Sequence, residues 1–335
     1  MAIDMHCHWT PRGLVAAAEA GREWYGWHLF RNGKGHEFVV HGHEALPFSA
    51  SKSVLDDPAG RAKMRKEKEG IDLQNLVLTA TFFSYYLGEE QAVKYCREVN
   101  EEQAEVQKAF PDKYRGVAIL PMQHPKLALQ EMDHAAKLGL TTIMMASHVH
   151  HLNLDEPAVL PIIEEAARRG VAMMVHPVIW EKAGDTRFPR YNFWNSFGAP
   201  LESSLAAMSL VHSGLFDRHP DIKILFTQGG GWIHFGVGRL NLRYVQRADS
   251  RTMAHPPVDY LKRMYFDCLV HDEDSLELLK KRAGADHIVI GTDYPAGGDI
   301  LGGAVKWIEE SPLFTADEKQ LVLHRNAERF LGISS

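Results

Sequence analysis

The stretch Ile3-Asp4-Met5-His6-Cys7-His8 begins as an apolar, strand-like run and closes on two histidines one residue apart. A strand alternates its side chains with period two, so both imidazoles point to one face. The pattern recurs downstream. Ala172-Met173-Met174-Val175-His176-Pro177 and Ile288-Val289-Ile290-Gly291-Thr292-Asp293-Tyr294-Pro295 each end an apolar run on a residue able to bind a metal. His6, His8, His176 and Asp293 are therefore the candidate metal ligands, three imidazoles and one carboxylate carried on the ends of three strands. A second pair, His41-x-His43, lies in a polar, glycine-rich stretch without matching partners.

Outward from these runs, eight short apolar segments occur at residues 2–6, 75–80, 115–121, 141–147, 171–176, 222–228, 263–268 and 287–293. Amphipathic stretches at 89–109, 126–138, 160–169, 201–215 and 274–282 lie between them, each long enough for a helix. This alternation predicts an α/β fold, a (β/α)8 TIM barrel, with residues 1–335 as a single metal-dependent domain. Barrel enzymes carry their chemistry at the C-terminal strand ends, where His8, His176 and Asp293 fall. Residues 9–52 break the rhythm with Trp24, Tyr25, Trp27, Phe30, Phe38 and Phe48 set among glycines. That is more than a short connection needs, and it predicts a lid-like insertion after the first strand that covers the barrel mouth.

A chain of 335 residues with 45% hydrophobic content can bury a large core in one domain. The formal charge of -6 and the lack of a Lys/Arg-rich run argue against nucleic acid or an anionic membrane surface as partner. No apolar stretch approaches the ~18 residues of a membrane span, and the chain opens directly into its first strand, so a cytoplasmic enzyme is expected. Cys7, Cys96 and Cys268 are too few and too scattered for a disulfide framework, in keeping with a reducing compartment.

Several motifs together resemble the amidohydrolase superfamily: the opening Ile-Asp-Met-His-Cys-His, Asp57-Pro58-x-x-Arg61, Val175-His176-Pro177, Gly229-Gly230-Gly231 followed by Gly238-Arg239, Gly291-Thr292-Asp293-Tyr294-Pro295, and Asn326-Ala327-x-x-Phe330. Within it they are most similar to the branch of the aminocarboxymuconate semialdehyde decarboxylases, which also holds resorcylate-type decarboxylases and meta-cleavage-product hydrolases. The resemblance spans nearly the whole chain. It implies that His6, His8, His176 and Asp293 bind one divalent metal, usually zinc. It also implies a homodimer or higher homo-oligomer in which Arg239 reaches the neighbouring subunit's site and binds substrate.

Two departures bear on the chemistry. At the end of the sixth strand, where this branch has a histidine, the chain reads Leu225-Phe226-Thr227-Gln228-Gly229. Gln228 exchanges hydrogen bonds but no proton near neutral pH. His234, six residues on, and His271, after the seventh strand, fall near the expected mouth and stand with Asp293 and Gln228 as catalytic candidates. The arginine that the aminocarboxymuconate enzymes carry before the Asp-Pro turn is also missing, for residues 46–51 read Leu-Pro-Phe-Ser-Ala-Ser. His148, His150 and His151 follow the fourth strand as a polar loop, and His212 falls in an apolar helical pattern.

A metal held by three imidazoles and a carboxylate keeps an exchangeable position for water or a substrate oxygen, and such a site accepts zinc, manganese, iron or cobalt. After the fifth strand, Trp180, Arg187, Arg190 and Trp194 mix aromatic and cationic groups suited to a planar carboxylate. The leading expectation is a metal-dependent, non-oxidative decarboxylase of an aromatic or muconate-like acid. A hydrolase of a C-C, amide or lactone bond is the alternative. Because Gln228 replaces the expected histidine, an altered activity or a non-catalytic partner subunit is the third.

Overall fold

Each of the eight apolar segments contains a strand in the computed structural model, which describes residues 1–42, 44–178, 187–188, 190–296 and 302–333. The strands are β1 (Ile3–Trp9), β2 (Leu73–Leu78), β3 in two pieces (Tyr114–Gly116 and Ala118–Ile119), β4 (Thr142–Ala146), β5 (Ala172–His176), β6 (Ile224–Phe226), β7 (Tyr265–Asp267) and β8 (Ile288–Val289). Each pairs in parallel with the next, the two pieces of β3 facing β2 and β4 in turn. Parallel bridges from Asp4 to Ile290 and from Cys7 to Tyr294 bring the end of the series back to β1.

A helix follows every strand: α1 (Pro58–Glu69), α2 (Glu89–Ala109), α3 (Pro125–Lys137), α4 (Leu160–Arg168), α5 (Ala199–His212), α6 (Ile233–Gln246), α7 (Glu273–Ala283) and α8 (Ala304–Glu310). Local chemistry sets their ends. Asp57 accepts from the Gly60 N–H at 2.8 Å to cap α1, Pro58 occupies the first turn, and Gly70 closes the helix at φ 76. Asp272 caps α7 in the same way through Ser275.

Strand parity places the site. Along β5, Met173 and Val175 pack with helix residues such as Ala206 and Leu210, whereas Ala172 and Met174 pack with Met144, Leu225 and Val289 from neighbouring strands. His176 continues the second set, so its imidazole points inward with theirs.

Several expected boundaries shift, those of β1 and β6 among them. β1 runs on to Trp9, which is fully buried and accepts the Thr79 N–H, because His8 belongs to the strand and not to a polar loop after it. β6 stops at Phe226, since Gln228 and Gly229 leave the ladder at φ 56 and φ 58. After Trp9 the chain forms a short helix (Arg12–Glu19) and a three-stranded antiparallel sheet (His28–Arg31, Glu37–His41, Glu44–Phe48). Trp24 Nε1 and the Tyr25 hydroxyl both donate to Glu98 of α2, at 2.8 and 3.0 Å, which ties this segment to the side of the helix. Among the described residues no helix is long and apolar enough to cross a membrane.

Candidate metal centre

The ligand atoms of His6, His8, His176 and Asp293 lie within 4.8 Å of one another at the C-terminal ends of the strands. His6 Nε2 stands 3.3 Å from His8 Nε2, and Asp293 Oδ1 is 2.8 Å from His8 Nε2 and 3.5 Å from His6 Nε2. The three imidazole rings are mutually edge-on, with centroids 5.0 to 5.1 Å apart.

Each ring is oriented through its other nitrogen. His6 Nδ1 meets Asp267 at 2.7 Å, His8 Nδ1 meets the Leu78 carbonyl at 3.3 Å, and His176 Nδ1 meets the Pro177 carbonyl at 2.8 Å. All three partners are acceptors, so the Nδ1 atoms carry the protons and the Nε2 lone pairs face the centre. His176 Nε2 is buried and has no hydrogen-bond partner. A buried, unsatisfied lone pair aimed at two other imidazoles and a carboxylate is what a divalent cation would satisfy, and the donor set fits one.

Electrostatics point the same way for His176 and Asp293, whereas at His6 burial is outweighed by the Asp267 hydrogen bond and the nearby carboxylates, which raise the pKa. Burial, reinforced by His6 and His8, pushes the His176 imidazole well below its ordinary pKa and keeps it neutral, the form that ligates. For Asp293, burial favours the acid, but the His8 hydrogen bond and the neighbouring imidazoles outweigh it and hold the carboxyl well below the usual range. A second buried network lies beneath. Asp4, on β1, accepts from Arg65 and from the Thr292 hydroxyl, each at 2.5 Å, and Arg61 donates to the His8 carbonyl at 2.9 Å. Helix α1 thus braces both the strand that carries the two histidines and the turn that carries Asp293.

Above the cluster lies a cavity of about 400 Å³, within the range of small-molecule sites. His8, His176 and Asp293 line it together with Gln228 and Trp194, and Leu46, Pro47 and Phe48 of the antiparallel sheet form part of its wall. Gln228 and Trp194 therefore stand where the sequence suggests. Others do not. His234, in the first turn of α6, packs against Phe266 at 4.7 Å and lies 2.8 Å from the Gly229 carbonyl. Burial lowers its pKa to about 4, so it is a neutral packing histidine outside the cavity lining. His271 is exposed at φ 65 and is likewise absent from the lining, because the turn after β7 carries it to solvent. Arg187 and Arg190 are also exposed, and Arg190 lies over the Tyr191 ring at 4.9 Å and not over the cavity. Arg239 is exposed on α6. Trp180 and His43 lie outside the described residues. His148 and His151 stack on each other near Glu202, away from the cavity lining.

Asp267 and Asp4 are the functional neighbours that sequence reasoning missed. Each is a single acidic residue within an apolar strand, and that placement is the one signal that could have marked them.

A family model described as amidohydrolase matches residues 3–333. The chain is 33% identical over 270 residues to 2-amino-3-carboxymuconate-6-semialdehyde decarboxylase of Dictyostelium discoideum, covering 79% of this chain and 74% of that protein. Among solved structures, 5-carboxyvanillate decarboxylase from Sphingomonas paucimobilis superposes with a TM-score of 0.83 at 24% identity, covering 99% of each chain. Dihydroxybenzoic acid decarboxylase from Polaromonas sp. JS666, solved with manganese and the inhibitor 2-nitroresorcinol, does so with a TM-score of 0.78 at 21% identity, covering 99% of this chain and 96% of that one. These two likenesses concern the fold.

Proposed function

The chain belongs to the amidohydrolase family, and from that premise we propose that it is a metal-dependent carboxy-lyase that removes carbon dioxide from an aromatic or muconate-like acid. The observation that carries this reading is the convergence of four candidate ligand atoms within 4.8 Å, three of whose residues, His8, His176 and Asp293, line one cavity. We read the ring of parallel strands as a (β/α)8 barrel and the segment 9–52 as the lid over its mouth, since Leu46, Pro47 and Phe48 line that cavity.

His6, His8, His176 and Asp293 would hold one divalent cation, zinc on the donor set, with manganese the ion found in the Polaromonas enzyme. When bound, the cation supplies a positive charge that neutralises and polarises the substrate oxygens. The protein's own groups do the rest. Trp194 and Phe48 place two aromatic rings in the lining, which suits a planar acid. Gln228 hydrogen-bonds the substrate without exchanging a proton, and Asp293, the one carboxylate among the described lining residues, is held ionised and so relays to the substrate carbon a proton that it takes up from solvent. That proton takes the place of the departing carboxyl, so that R–CO2⁻ and H⁺ become R–H and CO2.

The described lining contains no arginine or lysine to meet the carboxylate. Arg239 of a second copy fills that role in this reading. On α6 it lies one turn after Phe235, which is 85% exposed; Val245 near the end of the same helix is 71% exposed, and Trp232 and Leu205 are exposed apolar side chains as well. In this reading they mark an association surface. A cytoplasmic setting agrees with three free, buried cysteines.

The test is carbon dioxide release from a panel of hydroxybenzoates, vanillate-type acids and muconate-type acids by metal-loaded protein. Release that stops on chelation and returns with zinc or manganese is expected. A metal-loaded protein that cleaves an ester, amide or C-C bond in such compounds, and releases no carbon dioxide, would overturn the assignment in favour of a hydrolase.

A further inference from the structure

We propose that Asp267 is the positioning residue of this centre: one carboxylate sets the tautomer of His6 and, with the same two oxygens, holds Gln228 at the cavity wall. The inference rests on the reading of His6, His8, His176 and Asp293 as metal ligands, and it concerns a residue outside that set.

Asp267 ends β7 and is fully buried. Its Oδ2 lies 2.7 Å from His6 Nδ1 and accepts from the Gln228 N–H at 3.0 Å, while its Oδ1 accepts from the N–H groups of Gly229 at 2.7 Å and Leu269 at 3.2 Å. Four donors converge on one side chain. An ionised carboxylate is acceptor-only and has about four lone-pair positions, so it satisfies all of them. With three of its partners fixed as backbone donors, the fourth contact requires the proton of His6 on Nδ1. Nε2 is then left as a lone pair facing His8 and Asp293.

The same carboxylate compensates an unfavourable backbone. Gln228 and Gly229 are consecutive left-handed residues, at φ 56 and φ 58, and a glutamine gains nothing locally from that conformation. Charge-assisted hydrogen bonds from both N–H groups to Asp267 stabilise the turn, and the turn places Gln228 in the cavity lining. The close approach of Asp267 to His6 also explains Gly291 between them: a Cβ there would come within 2.7 Å of Asp267 Cβ and 3.0 Å of His6 Cβ.

Asparagine has the shape of aspartate but brings two donors of its own. In Asp267→Asn the amide either faces a backbone N–H, donor against donor, or faces His6 and draws its lone pair to Nδ1, moving the proton to Nε2. Both arrangements damage the centre. A merely structural role for Asp267 would lower stability and leave metal affinity alone.

The deciding experiment measures zinc affinity by chelator competition on metal-stripped wild type and Asp267→Asn, with an unfolding curve for each apo-protein. Zinc binding weakened about 10–100-fold in a folded variant is the expected result. A folded variant that binds zinc within twofold of wild type would overturn the role of Asp267 while leaving the ligand assignment intact. Wild type that binds neither zinc nor manganese would overturn both. Should the variant not fold, nitrogen-15 spectra of histidine-labelled, metal-free wild type decide the matter. A His6 proton on Nδ1 supports the proposal and one on Nε2 refutes it.

Discussion

His176 Nδ1 lies 2.8 Å from the carbonyl of its own chain neighbour, Pro177, and this local contact turns Nε2 toward His6 and His8, where no protein group meets it. A histidine held this way serves the cavity floor through one nitrogen only. Replacing it by alanine removes a ligand and leaves the ends of β1 and β8 intact, so His176→Ala should stay folded and lose stoichiometric metal. Plasma mass spectrometry after dialysis checks this; wild-type metal content in the variant would show that the cluster does not hold the ion.

Asp293 combines an oxygen toward His8 with a side chain only partly exposed, at 26%. Asp293→Asn retains an oxygen donor but cannot carry a proton. On the substrate that the acid panel identifies, kcat should drop by about 10²–10⁴, the usual contribution of a positioned acid or base, with KM far less affected. A drop of less than about tenfold would move the proton to another carrier.

The legible part of this site was what strand periodicity encodes. His6 and His8 share a face because they are two apart on β1, and His176 and Asp293 close apolar runs in the same way, so the members of the cluster could be picked out as candidates without knowing how the strands pack. The alternation of strands and helices was legible for the same reason. Asp267 was not, because its meaning comes from His6, which is 261 positions away in the chain. His234 misled because nearness in sequence to the strand ends says nothing about helix rotation; the first turn of α6 directs it at Phe266. The internal sheet of the segment after Trp9 was hidden as well, since its strands are short and largely exposed and lack the clean alternation of a buried sheet.

On α6, Phe235 and Val245 are among the most exposed large apolar side chains of the described residues, and Arg239 stands between them in sequence. Phe235→Asp combined with Val245→Asp should convert a dimer to monomers in analytical ultracentrifugation. On the proposal that Arg239 serves a partner's cavity, turnover should fall along with assembly. Monomeric wild-type protein at micromolar concentration would refute the shared site.

His234 gives a dependence on pH that comparison with a variant separates from that of His176, whose pKa burial also lowers. Its folded pKa of about 4 lies below the ordinary value of 6.5 because burial disfavours the charged ring. Between those values the unfolded chain binds the proton and the folded chain does not, so stability is full above pH 6.5 and declines as pH falls toward 4. The depression corresponds to roughly 3 kcal/mol. Urea unfolding of metal-free wild type and His234→Gln at neutral pH and near pH 4 should show the wild type losing about that much more than the variant. Parallel losses in the two proteins would place His234 in solvent contact.

The cavity is assembled from two independent sources: its polar floor comes from the strand ends, and its apolar wall comes in part from a small antiparallel sheet inserted between β1 and α1. Since the two share no ligand, drift within residues 44–48 can reshape which ring fits while the donors below stay untouched. A lineage built this way can explore new acids by rewriting a short stretch of wall, and the chemistry that breaks the carbon–carbon bond is inherited unchanged.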